Sequence, residues 1–209
     1  MNKRELLNKL LRIFVLTLAV ACAGIYFGQF VPQSFMLPLM ILEVVMLITA
    51  AILRRRRKIG YSFLFLFVAV SGLTMYPAIY YYLSEVGAEI VLLAFILALI
   101  IFVLLGIFGW IIKKDLSFIG SILFIILIGL IAFSLFNFFV PQSDTTILLV
   151  TIISAVLFSV YIVYDFNQIK HRHLSEKDIP RLALNLYLDF INLFMDLLRI
   201  LSHFSQRRN

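Results

Sequence analysis

Apolar residues run along this chain in long unbroken blocks rather than in alternation. From Ile59 to Ile112, and again from Leu116 to Tyr164, there is no Lys or Arg. Each block is long enough for a helical hairpin that crosses a bilayer twice, at about 20 residues per crossing. Runs such as Ile90–Phe108 are apolar all round, whereas the strands of a membrane barrel alternate over about 10 residues. The blocks predict an all-α, multi-pass membrane protein with seven transmembrane helices. The spans are Ile13–Val31, Phe35–Leu53, Tyr61–Leu83, Ile90–Ile112, Leu116–Val140, Ile147–Gln168 and Leu182–Leu201. They fill residues 1–209 as a single membrane domain.

The turns carry their own signals. Phe-Val-Pro-Gln-Ser occurs twice, at Phe30–Ser34 and Phe139–Ser143. The sequences that follow do not match, so the pair reads as two Pro-stopped helix ends rather than a duplicated unit. Lys and Arg gather in alternate loops: Lys3, Arg4, Lys9 and Arg12; Arg54–Lys58; Lys113 and Lys114; Lys170, Arg172, Lys177 and Arg181. The intervening loops hold only Glu85, Glu89 and Asp144. By the positive-inside rule this places the N-terminus in the cytoplasm. Seven crossings then put the C-terminus outside. Arg207 and Arg208 oppose that, and a re-entrant last segment is the alternative. The basic start and Ala19–Cys22 resemble a signal peptide, but the apolar run continues to Phe30, which favours an uncleaved first span.

Composition narrows the classes. Of 209 residues, 63% are hydrophobic and 14% charged, with mean hydropathy +1.07. Soluble domains average about 45–50% apolar and about 25% charged, so a water-soluble or disordered chain is excluded. The net charge of +7 is a topology signal here, not a nucleic-acid signal. One cysteine, Cys22, excludes an internal disulfide and a multi-cysteine metal site.

Ionisable groups inside a bilayer are costly and mark function by default. Four carboxylates lie within the predicted spans: Glu43, Asp165, Asp189 and Asp196. On the last span, Asn185, Asp189, Asn192, Asp196, Arg199 and His203 follow at intervals of 4, 3, 4, 3 and 4, one stripe of a helix. Its opposite face is apolar and includes Tyr187 and Phe194. Such a stripe belongs inside a bundle, on a polar seam or a wet cavity. Asp165 and Asp189 lie on consecutive antiparallel spans at depths that allow them to meet. Two carboxyls in contact cannot both ionise cheaply and share a proton. The competing reading has Asp165 facing Lys170 or Arg172. Arg54 shares a face of the second span with Glu43 and is placed either to reach a carboxylate of the last two spans or to anchor the loop. Pro38 and Pro77 are candidate kinks.

These residues carry a resemblance to the Bax inhibitor motif family along nearly the whole chain. Its pieces are Ile41–Val44 around Glu43, Arg54–Lys58 before Gly60-Tyr61, Lys113–Phe118, Tyr164–His171, and Leu186–Phe194. The resemblance implies six helices wrapped around a central C-terminal one and a pH-sensitive calcium leak. In eukaryotic relatives it implies protection from cell death. It places the family's paired aspartates on Asp165 and Asp189, its latching arginine on Arg54, and an acidic position of the second helix on Glu43. Asp196 is a departure from the bacterial relatives.

The combined expectation is a non-enzymatic calcium leak with Asp165, Asp189 and Arg54 as pH sensor and gate. Glu43, Asn185, Asn192 and Asp196 line the ion pathway, and Asp165, Asp189 and Glu43 are the candidate calcium ligands. No cofactor is expected beyond calcium as the permeant ion. The partners are the lipid bilayer, calcium ions and protons, with no nucleic acid. The location is a bacterial plasma membrane. The alternatives are a proton-coupled transporter or a non-conducting cytoprotective protein. An intramembrane aspartyl protease lacks its Gly-x-Gly-Asp context.

Overall fold

The computed structural model describes residues 2–54 and 59–206, without the side chains of 51–54. Among the described residues every regular element is helical. The order is α1 (Lys3–Gly28), α2 (Gln33–Arg54), α3 (Tyr61–Ile111), a 3-10 turn (Ser117–Ile119), α4 (Gly120–Phe139), α5 (Asp144–His171), a 3-10 turn (Glu176–Asp178) and α6 (Ile179–Gln206). This is the fold of an all-α, multi-pass membrane protein.

The third and fourth predicted spans form one element of 51 residues, broken at Gly87, where φ is 80° and ψ 166°. Only glycine adopts that backbone readily. The break falls between the two predicted spans, inside the acidic turn Glu85–Glu89. Pro38 lies inside α2 and Pro77 inside α3; the one non-helical residue within α3 is Gly87, not Pro77.

Helices α1 to α5 are long and apolar enough to cross a membrane. The last predicted span differs in kind. α6 is a helix of 28 residues but does not meet that apolar standard, because its polar stripe interrupts the hydrophobic window. It is nonetheless deeply enclosed: Leu184, Leu186, Tyr187, Phe190, Leu193 and Leu198 are buried.

Helix bounds also depart from the predicted spans. α1 starts ten residues before Ile13, because hydropathy marks the membrane and not the helix. An Asn2–Glu5 capping box opens it, and Leu6 and Leu10 are buried. Both Phe-Val-Pro-Gln-Ser copies are helix breaks, and in the second Ser143 Oγ accepts from the Thr146 N–H to cap α5.

The residues group into two compact units. The first holds residues 1–84 and 173–187 and therefore α1, α2, the first leg of α3 and the start of α6. Its α1–α3 seam is built from small residues. A Cβ on Gly24 would lie 2.9 Å from the Ala69 carbonyl oxygen and from Gly72 Cα. Close backbone approach through Gly and Ala is how membrane helices associate. The second unit holds residues 85–172 and 188–209. There Gly106 seats the ring of Phe166, and Gly109 faces the backbone of Val163.

Candidate functional site

The two aspartates of the expected pair both lie in the second unit and are both buried, at 5% and 6% exposure. Their register is set by aromatic rings. Phe102 of α3 packs edge-on against Phe166 and against Phe190, each at 5.7 Å between centroids. Phe166 follows Asp165 and Phe190 follows Asp189. One ring therefore holds α5 and α6 at the level where each carries its acid. Phe95 adds edge contacts to Phe190 and Phe194. α2 ends at Arg54, whose side chain lies outside the described residues, as do residues 55–58.

After Asp165, the motif that runs to His171 caps another helix. The last carbonyls of a helix lack intrahelical partners. At the end of α3 these and the following carbonyls are taken by α5. Lys170 Nζ donates to the Ile112 and Ile111 carbonyls at 3.0 and 3.4 Å. A ring nitrogen of His171 lies 2.9 Å from the Lys113 carbonyl oxygen. Asn167 Nδ2 donates to Lys114 O at 3.0 Å, and its Oδ1 accepts from the Leu116 N–H at 2.9 Å. Residues 167, 170 and 171 share one helix face, which lets them reach these groups together. Gln168 Nε2 donates to Asp115 at 3.0 Å. That bond, joined by the Ser117 N–H, holds the Asp115 carboxyl below its ordinary range.

In the first unit, Glu43 accepts a hydrogen bond from Thr74 Oγ1 at 2.5 Å. Ser71 and Thr74 are buried beside it, and the Tyr187 hydroxyl sits within electrostatic reach of Glu43 and next to Ser71. The stripe assigns Tyr187 to the apolar face of α6, and its ring does pack on Phe67 at 6.4 Å. The hydroxyl, however, completes a polar cluster. Ser71 and Thr74 escape sequence reading because a hydroxyl barely disturbs a hydrophobic run.

Asn185 lies on the part of α6 in the first unit and is half-buried. Asn192 and Asp196 line a cavity in the second unit together with Arg199. Among the described residues no three His, Cys, Asp or Glu side chains gather as a metal-binding group. Glu43 is engaged by Thr74.

At the entry to α6, Asp178 accepts from the backbone N–H and hydroxyl of Ser175 at 2.9 and 3.0 Å and pairs with Arg181 at 3.4 Å. Burial pushes its carboxyl up, but the Ser175 and Arg181 contacts outweigh that and leave it below the ordinary range.

Residues 3–207 match the family model described as "Inhibitor of apoptosis-promoting Bax1". The chain is 36% identical to an uncharacterized protein of Campylobacter jejuni, covering 94% of this chain and 87% of that one. It is 30% identical to inner membrane protein YbhL of Escherichia coli, covering 95% and 86%. It is 38% identical to Bax inhibitor 1 of Schizosaccharomyces pombe, covering 72% of this chain and 54% of the yeast protein.

Proposed function

The chain belongs to the Bax1 inhibitor family of multi-pass membrane proteins, and from that premise we propose that it is a proton-gated calcium leak of a bacterial plasma membrane, with its N-terminus in the cytoplasm. Asp165 and Asp189 are the proton sensor. Ionised, the pair holds Arg54 by a charge-assisted hydrogen bond and draws the end of α2 over the path. Protonated, it releases Arg54 and the path opens. Glu43, Asn185, Asn192 and Asp196 offer the hard oxygens that a passing calcium ion prefers.

The observation that carries this reading is the Phe102 contact with both Phe166 and Phe190. It supports a common depth for two buried acids that hydrophobic packing alone does not require. The test is calcium entry into liposomes holding the purified protein. The expected result is entry above that of empty liposomes, changed by Asp189→Asn and by Glu43→Gln. Folded protein that admits no more calcium than empty liposomes overturns the reading. The name of the yeast relative supports a second one, a non-conducting cytoprotective protein, and the same null flux would favour it.

A further inference from the structure

The second unit carries a partly open cavity of about 260 Å³ between α4, α5 and α6. It sits toward the α4–α5 turn, since its walls include Asn137 near the end of α4 and Ile147 near the start of α5. Asp196 is 9% exposed and lines this space. Ser154 donates to its carboxylate, while Oδ2 is buried without a hydrogen-bond partner. A buried carboxylate oxygen left unsatisfied is costly.

The hydroxyl protons of the two nearest α5 residues are committed: Ser154 donates to Asp196 and Thr151 to its own helix. Thr151 Oγ1 donates to the Ile147 carbonyl at 2.8 Å, and Asn192 Nδ2 to the Leu188 carbonyl at 2.7 Å. A hydroxyl carries a single proton, so Thr151 and Ser154 have only lone pairs left, while Asn192 keeps its carbonyl oxygen and a second amide N–H. The lining near Asp196 therefore offers four oxygens with free lone pairs: one carboxylate oxygen, one amide oxygen and two hydroxyl oxygens. Arg199 is exposed and lines the same cavity.

We propose that this cavity is a cation site of its own, built on Asp196 with Ser154, Thr151 and Asn192, and that Arg199 at its rim weakens it as a tethered competitor. Hard oxygens suit calcium, and the volume leaves room for the water that completes a shell of six to eight oxygens. One carboxylate opposed by one guanidinium makes the site weak, with a dissociation constant on the order of 10⁻⁴–10⁻³ M. The ion's identity rests on the calcium reading above. The existence of the site does not, and it is tested by binding rather than flux.

The experiment is equilibrium binding of radiolabelled calcium to the intact purified protein. Asp196→Asn should weaken binding about tenfold or more. Ser134→Phe, which fills the cavity from α4 without touching the carboxylate, should abolish it. Arg199→Gln should tighten binding about fivefold by removing a like charge, and Asp189→Asn should leave this component in place. Equal binding by wild type and Asp196→Asn overturns the site. Should Asp196→Asn fail to fold, unchanged binding by Ser134→Phe overturns it instead. Weaker binding by Arg199→Gln overturns the competitor role. Binding that depends on Asp196, in protein that passes no calcium into liposomes, would sink the leak and leave the site. Flux without such binding would do the reverse.

Discussion

Gly106 of α3 lies directly beneath the ring of Phe166, so closely that a Cβ at position 106 would stand 2.9 Å from Cε2. Phe166 is the neighbour of Asp165, and Gly106 is one helical turn from Phe102. The absence of a side chain at 106 thus lets the rings seat and fixes the depth of the acid.

Gly106→Ala should therefore destabilise the protein by about 1–3 kcal/mol, the usual cost of overpacking, although alanine is the better helix former by about 1 kcal/mol. Gly129, in α4, is the control. Nothing lies within 4 Å of a Cβ there, so Gly129→Ala should be neutral or stabilising. Thermal unfolding of both variants in detergent checks this. Equal melting temperatures would mean that the ring contact is slack.

The clamp at the end of α3 gives a second expectation. Asn167 is buried and bridges the Lys114 carbonyl and the Leu116 N–H. Asn167→Ala removes both bonds, at about 0.5–1.5 kcal/mol each for groups that are only part-buried. Hydrogen exchange across Ile112–Phe118 should accelerate while α1 stays protected. Unchanged exchange in that loop would show that Lys170 and His171 suffice.

Much of this was legible in the chain. Long apolar blocks place α1 to α5, and the 4-3-4-3-4 stripe marks α6 as a helix unlike the rest. The motif Tyr164–His171 marks a site, but not that it divides its labour. Asp165 is buried, whereas Asn167, Lys170 and His171 cap another helix. That division depends on carbonyls 53 to 58 residues away, which no local pattern encodes. Helix starts are equally hidden: hydropathy locates the first span from Ile13, while the Asn2–Glu5 capping box decides where α1 begins.

Asp178 gives a pH dependence. Its carboxyl is held below the ordinary value by Ser175 and Arg181 despite burial. A group depressed on folding contributes stability that is present above its unfolded value, about 3.9, and is lost as pH falls through its folded value. Asp178→Asn should loosen residues 175–181 at neutral pH and make no difference at pH below that lowered value. Hydrogen exchange of wild type and variant, compared at each pH, checks it. A difference that persists into strong acid would assign the effect to shape rather than charge.

The gate carries the most demanding expectation, because its sign is fixed by linkage. If the ionised pair Asp165–Asp189 holds Arg54, the closed state binds fewer protons than the open one, and adding protons must favour opening. On that reading alkaline pH closes the path and mild acid opens it. Stronger acid should not raise flux without limit, because it also protonates carboxylates that calcium needs. Arg54→Ala removes the latch without touching the acids, so it should raise the leak several-fold at alkaline pH and flatten the response to acid. Asp165→Asn imitates the protonated pair and should be open at alkaline pH as well, while Arg54→Lys keeps the charge but not the forked geometry and should fall between. Liposome flux measured across pH separates these outcomes. An Arg54→Ala curve that overlays wild type would return Arg54 to the role of a loop anchor and leave Asp165 and Asp189 as a proton-sharing pair with no latch.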